Sequence, residues 1–484
     1  MSAEPTSAPP PAPAEPAGAR PAADRGWFVR GPYAPVTEEV TAVDLPVTGT
    51  LPAGLDGRYL RNGPNPLGLD EPVEHWFLGP GMVHGVRLRD GRAEWYRNRW
   101  VRSGEVAAAL GERWPGGPVH AGMDFAANTH VIAHAGRTLA TVEAGALPYE
   151  LTDELDTVGP CDFDGTLPGG YAAHTKLDRR TGDLHAVAYF WGWDHVQHVV
   201  VGPDGRVRRT TDVPVPDGPM MHDFALTERY VVLLDLPVTF SMDAAAAGSS
   251  LPYTWNPAHP ARVGLLPRDG AGGDVRWVEV DPCWVFHTVN AFDGTAPDGG
   301  DRVVLDVCRY AGSYDMSGLS GRGPLTLDRW TLDPRTGTAG RQLLDDRPQE
   351  FPRVDERVVS RPHRYAYSAA LGQVDPGTVR PDGGFGDDAF ASALLQHDLA
   401  RGTVAAHRFG RDAAVGEAVF VPAAPDAAED DGYVLAFVHD PDRGATDLVV
   451  LAAQDLVGAP VARVHLPARV PLGFHGSWVP TEQG

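Results

Sequence analysis

From Gly26 onward the chain is a succession of short β-rich runs joined by tight turns. Residues 83–89 and 92–99 flank Asp90-Gly91. An Asp-Gly pair between alternating runs is the strongest short hairpin signal, because both turn positions must accept positive φ. The pattern repeats: 129–133 and 138–143 flank Ala135-Gly136, 176–178 and 184–190 flank Thr181-Gly182, and 196–201 and 207–213 flank Pro203-Asp204-Gly205. It continues through Glu228-Arg229 and Pro334-Arg335-Thr336-Gly337 to the pair 433–438 and 448–453. The best helical segment, Gly104–Leu110, spans only about two turns.

Many consecutive hairpins suggest either stacked sandwiches or a β-propeller. No sharp repeat of about 40–50 residues is visible, which counts against a WD-type repeat but not against a diverged propeller. No linker breaks the run, so 26–484 reads as one all-β propeller domain. Three longer irregular stretches, 102–128, 240–265 and 311–323, read as a cap over one face.

Composition narrows the function. With 41 Lys and Arg against 64 Asp and Glu, the net charge is −23, and no basic cluster offers a nucleic-acid surface. Residues 1–25 are Ala/Pro-rich without an apolar stretch, so they read as a disordered tail rather than a signal peptide. No run of about 18 apolar residues would span a membrane. Cys161, Cys283 and Cys308 are an odd, widely spaced set, which suits buried thiols of a cytoplasmic protein. Peripheral membrane contact stays open, through the apolar loop around Tyr253 and Trp255. No obligate protein partner is indicated.

Eighteen histidines are scattered through the chain. His174, His222, His287 and His475 each sit at the edge of a strand-like run among small or apolar neighbours. Their separations are 48, 65 and 188 residues, so only a closed fold that aims several blades at one axis would bring them together. Spacing makes them candidates but does not select them from the eighteen.

A series of ordered motifs does. Leu51-Pro52-Ala53-Gly54-Leu55-Asp56-Gly57 and Leu60-Arg61-Asn62-Gly63-Pro64-Asn65-Pro66 open it. His75-Trp76-Phe77, Gly81-Met82-Val83-His84-Gly85, Met221-His222-Asp223-Phe224, Val285-Phe286-His287, Glu350-Phe351-Pro352-Arg353 and His475-Gly476-Ser477-Trp478 follow. From about Val36 to Val479 the chain resembles the carotenoid cleavage oxygenases. The resemblance implies a seven-bladed β-propeller with a helical cap, an apolar tunnel, and one Fe(2+) on the axis. It implies His174, His222, His287 and His475 as the metal ligands and Glu143, Glu350 and Glu417 as the carboxylates that fix them. His75, His84 and His363 also fall in family motifs, but the family does not use them as ligands. Imidazole suits iron, and carboxylates that accept the outer ring N–H raise ligand basicity without taking a coordination position. No G-x-G-x-x-G opens a βαβ unit, so no nicotinamide or flavin is implied.

The implied reaction is cleavage of a conjugated C=C bond with O2 to two carbonyl products. The substrate is an apolar polyene, with Trp100, Val142, Tyr149, Phe286, Phe474 and Trp478 expected along the tunnel. The sequence departs from the family where Phe77-Leu78-Gly79-Pro80-Gly81-Met82 lacks two common acids, which bears on loop geometry and not on the metal. The stilbene-cleaving branch typically places a lysine before the first of the three glutamates. Here Val142 stands there, which favours a carotenoid or apocarotenoid over a stilbene. Three other readings are weaker: a stilbene-cleaving enzyme, a non-catalytic propeller scaffold, and an isomerohydrolase that would not consume O2.

Overall fold

In the computed structural model, the described residues are 29–67, 75–124, 127–295, 299–371, 392–410 and 413–481. The tail expected over 1–25 lies outside them.

The Asp90-Gly91 turn shows how local chemistry sets the elements. Asp90 (φ 50°) and Gly91 (φ 70°) are both left-handed, as a type I′ turn requires, and its twist matches that of the strands it joins. Those strands are Gly81–Arg89 and Arg92–Trp100. Ala135 (φ 50°) and Gly136 (φ 74°) repeat the device between His130–His134 and Arg137–Thr141.

Such hairpins assemble into seven sheets of four or more strands, with antiparallel pairing throughout. Blades 1 to 5 are continuous in sequence, at 130–160, 175–214, 224–279, 283–345 and 349–408. Blade 6 takes 414–465 and adds Val47–Gly49 beside Ala462–His465. Blade 7 pairs the C-terminal strand Gly476–Pro480 with Gly57–Pro64, which leads on to the two strands around Asp90-Gly91. The two ends of the chain therefore lock the last two blades. This is a seven-bladed β-propeller.

Apolar clusters fill the seams between neighbouring blades. Ile132 and Leu139 meet Ala186 and Val199 between blades 1 and 2. One large cluster runs through blades 2, 3 and 4, from Val187 through Phe224 and Leu265 to Val285 and Trp330. Leu327 meets Ala366, Tyr367 meets Val434, Tyr59 meets Phe437, and Leu60 meets Val131, which carries the ring back to blade 1. Each seam buries apolar side chains from two sheets, so no blade completes its core alone.

At the last seam Asn62, fully buried, joins blades 7 and 1. Its Nδ2 donates to the carbonyls of Ala127 (2.7 Å) and His130 (3.0 Å). Its backbone N–H donates to the carbonyl of His475.

The helical part of the expected helix-and-loop cap is small. Among the described residues its helices are short, Gly104–Leu110 and Met242–Ala246. The rest is loop and two small hairpins, Val238–Phe240 with Tyr253–Trp255 and Tyr314–Asp315 with Ser320–Gly321. The hairpin also corrects the membrane expectation for Tyr253. That side chain is buried, its ring packed on Tyr189 and Phe240. All three cysteines are buried and unpaired, and no helix among the described residues is long and apolar enough to cross a membrane.

Asn62→Ala leaves the buried carbonyl of Ala127 without a donor and takes one of two from that of His130 at the closing seam. We expect a loss of about 2–3 kcal/mol of stability, read as a lower urea midpoint. An unchanged midpoint would remove this residue from the closure.

Candidate metal centre

The inner strands of the blades end on the propeller axis, and four of them carry a histidine there. His174 precedes Thr175–Asp178, His222 lies just before Phe224–Leu226, and His475 precedes Gly476–Pro480. His287 lies within Cys283–Thr295, where the register shifts between Val285 and Thr288. Such a bulge re-aims a side chain out of the regular pleat. All four rings are buried, and one ligand atom from each lies within 4.8 Å of the others.

The carboxylates come from the remaining blades. Glu143 of blade 1 lies after Arg137–Thr141, Glu350 of blade 5 is in Gln349–Arg353, and Glu417 of blade 6 falls between Ala414–Val415 and Val419–Pro422. Each of the seven blades thus contributes one of the seven residues. Ala144 (φ 59°) and Phe351 (φ 54°), which follow Glu143 and Glu350, are left-handed without being glycine. Strain of this kind costs on the order of 1–3 kcal/mol and is held where the surroundings over-determine it.

The pairing is one to one. Glu143 Oε1 lies 2.6 Å from His222 Nδ1, Glu350 Oε2 2.5 Å from His287 Nδ1, and Glu417 Oε1 2.8 Å from His475 Nδ1. His174 has no glutamate; its Nδ1 is 3.6 Å from Asp223 Oδ1, which also takes Lys176 at 3.0 Å. With Nδ1–H directed at a carboxylate, Nε2 of the ring carries a lone pair. These Nε2 atoms face one another at 3.2 Å (His174–His222), 3.3 Å (His222–His287) and 3.1 Å (His287–His475). Lone pairs that close repel unless a cation lies between them. Two nitrogens each about 2.1 Å from one ion, at right angles, would be about 3.0 Å apart.

Charge makes the same demand. Around the rings stand four buried or nearly buried carboxylates, Glu143, Glu350, Glu417 and Asp223, faced by the cations Lys176 and Arg353, with the buried Arg61 near Glu417. With neutral imidazoles the carboxylates outnumber these cations, and a bound metal cation relieves the excess. Such a net buried charge is costly when left unpaired. The residues fit a divalent metal.

Burial, reinforced by the neighbouring rings, holds His174 well below the usual histidine range. Burial likewise draws His475 down to about 4, against the pull of Glu417. Both are therefore neutral near pH 7, as ligands must be. Burial alone would raise Glu417, but Arg353 and His475 outweigh it and hold the carboxyl far below the normal range.

The family described as retinal pigment epithelial membrane protein matches residues 33–480. A carotenoid cleavage oxygenase of Mycobacterium tuberculosis is 46% identical over 94% of this chain and 97% of its own. The chain belongs to the carotenoid cleavage oxygenase family. It is an oxygenase. A carotenoid 9,10(9',10')-cleavage dioxygenase of Crocus sativus is 32% identical over 94% of this oxygenase and 89% of its own length. The crystal structure of Pseudomonas brassicacearum lignostilbene dioxygenase superposes with a TM-score of 0.82 at 30% identity, covering 94% and 99% of the two chains.

Above the histidines stands an aromatic wall. Phe286 packs on His222 (ring centroids 5.1 Å apart), and Phe351 on His287 and His475 (5.5 Å each). Phe77 touches Phe286 at 5.8 Å and Phe474 at 5.7 Å. Of the residues expected along the tunnel, Phe286 and Phe474 are in this wall, and Val142 is buried beside Glu143. The others pack in cores. Trp100 clusters with Met82 and Val106, Tyr149 with Leu60 and Val131, and Trp478 with the blade 6–7 seam.

Phe77, Phe351, Asp223 and Arg353 lie inside motifs quoted above, which could have identified them. Tyr189 and His130 carry no such signal. Tyr189 OH donates to Glu143 Oε2 at 2.5 Å. His130 begins the inner strand of blade 1 much as His174 and His475 stand at the start of theirs, with its ring 5.4 Å from His475. Its Nε2 nevertheless lies 3.2 Å from the carbonyl of Gly476, outside the cluster of four.

Glu417 is fixed by Arg353 Nη1 (2.9 Å) and by the N–H of Gly476 (2.9 Å) while it holds His475. We expect Glu417→Gln to weaken metal binding by about 10–100-fold, measured by chelator competition. Affinity equal to that of the unaltered protein would show that this carboxylate does not set the ligand.

Proposed function

We propose that the chain is a non-haem iron(II) dioxygenase with one Fe(2+) per chain on His174, His222, His287 and His475. Its reaction is cleavage of a conjugated C=C bond of a carotenoid or apocarotenoid, each oxygen of O2 ending in one of two carbonyl products. The observation that carries the reading is the aromatic wall of Phe77, Phe286, Phe351 and Phe474 directly over a four-nitrogen pocket. When bound, the iron supplies the redox chemistry that activates O2 toward the alkene.

The chain's own residues do the rest. Glu143, Glu350 and Glu417 keep three ring protons on Nδ1, so that the Nε2 lone pairs stay on the axis. Because these carboxylates stay outside the ligand set, coordination positions remain for reactants. The phenyl rings grip an apolar chain through its faces and edges and exclude bulk water. Val142, apolar and buried where a phenol-binding lysine would stand, favours a polyene.

The second reading is stilbene cleavage, supported by the likeness to the lignostilbene dioxygenase. Aerobic incubation of the iron(II)-loaded protein with an apocarotenal and with resveratrol, followed by mass spectrometry, separates the two. We expect aldehydes from the apocarotenal; aldehydes from resveratrol alone would reverse the preference. His222→Ala should abolish both iron binding and cleavage, and stoichiometric iron in that variant would contradict the ligand set.

A further inference from the structure

His75 stands in one of the ordered motifs but outside the cluster of four, so the metal pocket leaves it without a task. It is buried, and both of its ring nitrogens are taken. The backbone N–H of Phe77 donates to Nδ1 at 3.1 Å, and Nε2 lies 2.9 Å from the carbonyl of Met316. An amide N–H only donates and a carbonyl only accepts. The ring is therefore neutral, with its one proton on Nε2 and a lone pair on Nδ1. Burial holds it below the usual histidine range, against the pull of the Met316 carbonyl, and so keeps it in that form.

These two bonds join segments far apart in the chain. Met316 lies 241 residues from His75, in the small cap hairpin of Tyr314–Asp315 and Ser320–Gly321. That hairpin already reaches the aromatic wall directly, because Tyr314 packs edge-on against Phe286 with ring centroids 5.3 Å apart. His75 extends its hold to the neighbouring ring. The imidazole also packs edge-on against Phe77, at 4.7 Å.

From the other side, the buried Asn128 donates through Nδ2 to the carbonyls of Phe77 (3.0 Å) and Gly79 (2.9 Å). Phe77 is thus clamped at its N–H by His75 and at its C=O by Asn128. Packing alone would not need an imidazole at position 75. An apolar side chain could cover Phe77, but it could neither accept from that backbone nor donate to Met316.

We propose that His75 is a positioning residue for the substrate: it couples the cap hairpin to Phe77 and so fixes that ring in the wall over the histidine pocket. The inference rests on the reading that Phe77, Phe286, Phe351 and Phe474 hold an apolar substrate. Contacts of this kind act on the bound substrate and its transition state alike, so loosening them raises KM and spares kcat.

Two measurements test this: steady-state kinetics of the iron(II)-loaded protein, and anaerobic binding of an apocarotenal and of resveratrol, read as quenching of tryptophan fluorescence. His75→Asn keeps an acceptor near Nδ1 and His75→Gln keeps a donor near Nε2, so each leaves one arm and breaks the coupling. Either should raise KM and the dissociation constant by about fivefold, with kcat within about twofold and iron content unchanged. Phe77→Leu should weaken binding by a similar factor. Adding His75→Asn to it should cost nothing further, because His75 acts through that ring. Unchanged affinity in the His75 variants would overturn the proposal, and so would full additivity in the double variant. Should the His75 variants not fold, unchanged affinity in Phe77→Leu would overturn it. A fall in iron content or kcat with KM unchanged would do the same, since it would place His75 in the fold or the ligand frame. Absence of aldehydes from the unaltered protein would count against the proposed reaction, while the binding measurement would still decide the role of His75. No quenching by either compound would overturn both.

Discussion

The structure depends on a charge problem at its axis. Four imidazole nitrogens point their lone pairs at one another across 3.1–3.3 Å, within a buried shell in which carboxylates outnumber cations. Water is shut out from Glu350, Glu417 and Asp223, and the rings cannot rotate away without abandoning Glu143, Glu350 and Glu417. A divalent cation resolves both problems together. Ligands and carboxylates therefore form one electrostatic unit, in which loss of any member is felt by the rest.

That unit explains why the ring must close. One residue of the seven comes from each blade, so the geometry exists only when every seam is packed. His475 sits on the strand that pairs with Gly57–Pro64, and its own carbonyl accepts from Asn62. Closure of the chain and assembly of the metal site are thus the same event. Metal binding accordingly stabilises the folded ring by mass action.

How much of this was legible in the sequence varied with the range of the interaction. Turn chemistry is local, so Asp90-Gly91 and Ala135-Gly136 announced their hairpins and Gly104–Leu110 its helix. The blade count and the wrap of Val47–Gly49 onto blade 6 are long-range pairings with no local signature. At the site, the spacing of the histidines left eighteen candidates, and family motifs reduced them to four. Which glutamate holds which ring could not be read, since the partners lie 58 to 79 residues apart. Tryptophans and tyrosines misled most. Trp100, Tyr149 and Trp478 are as apolar as the wall residues, but they serve blade packing, and composition does not tell a seam from a pocket.

X-ray absorption at the iron K-edge of the iron(II)-loaded protein reads the ligand set of the proposed centre. We expect four imidazole nitrogens at about 2.1 Å, with no carboxylate from the protein bound to the iron. Fewer than four imidazoles, or a coordinated glutamate, would contradict it.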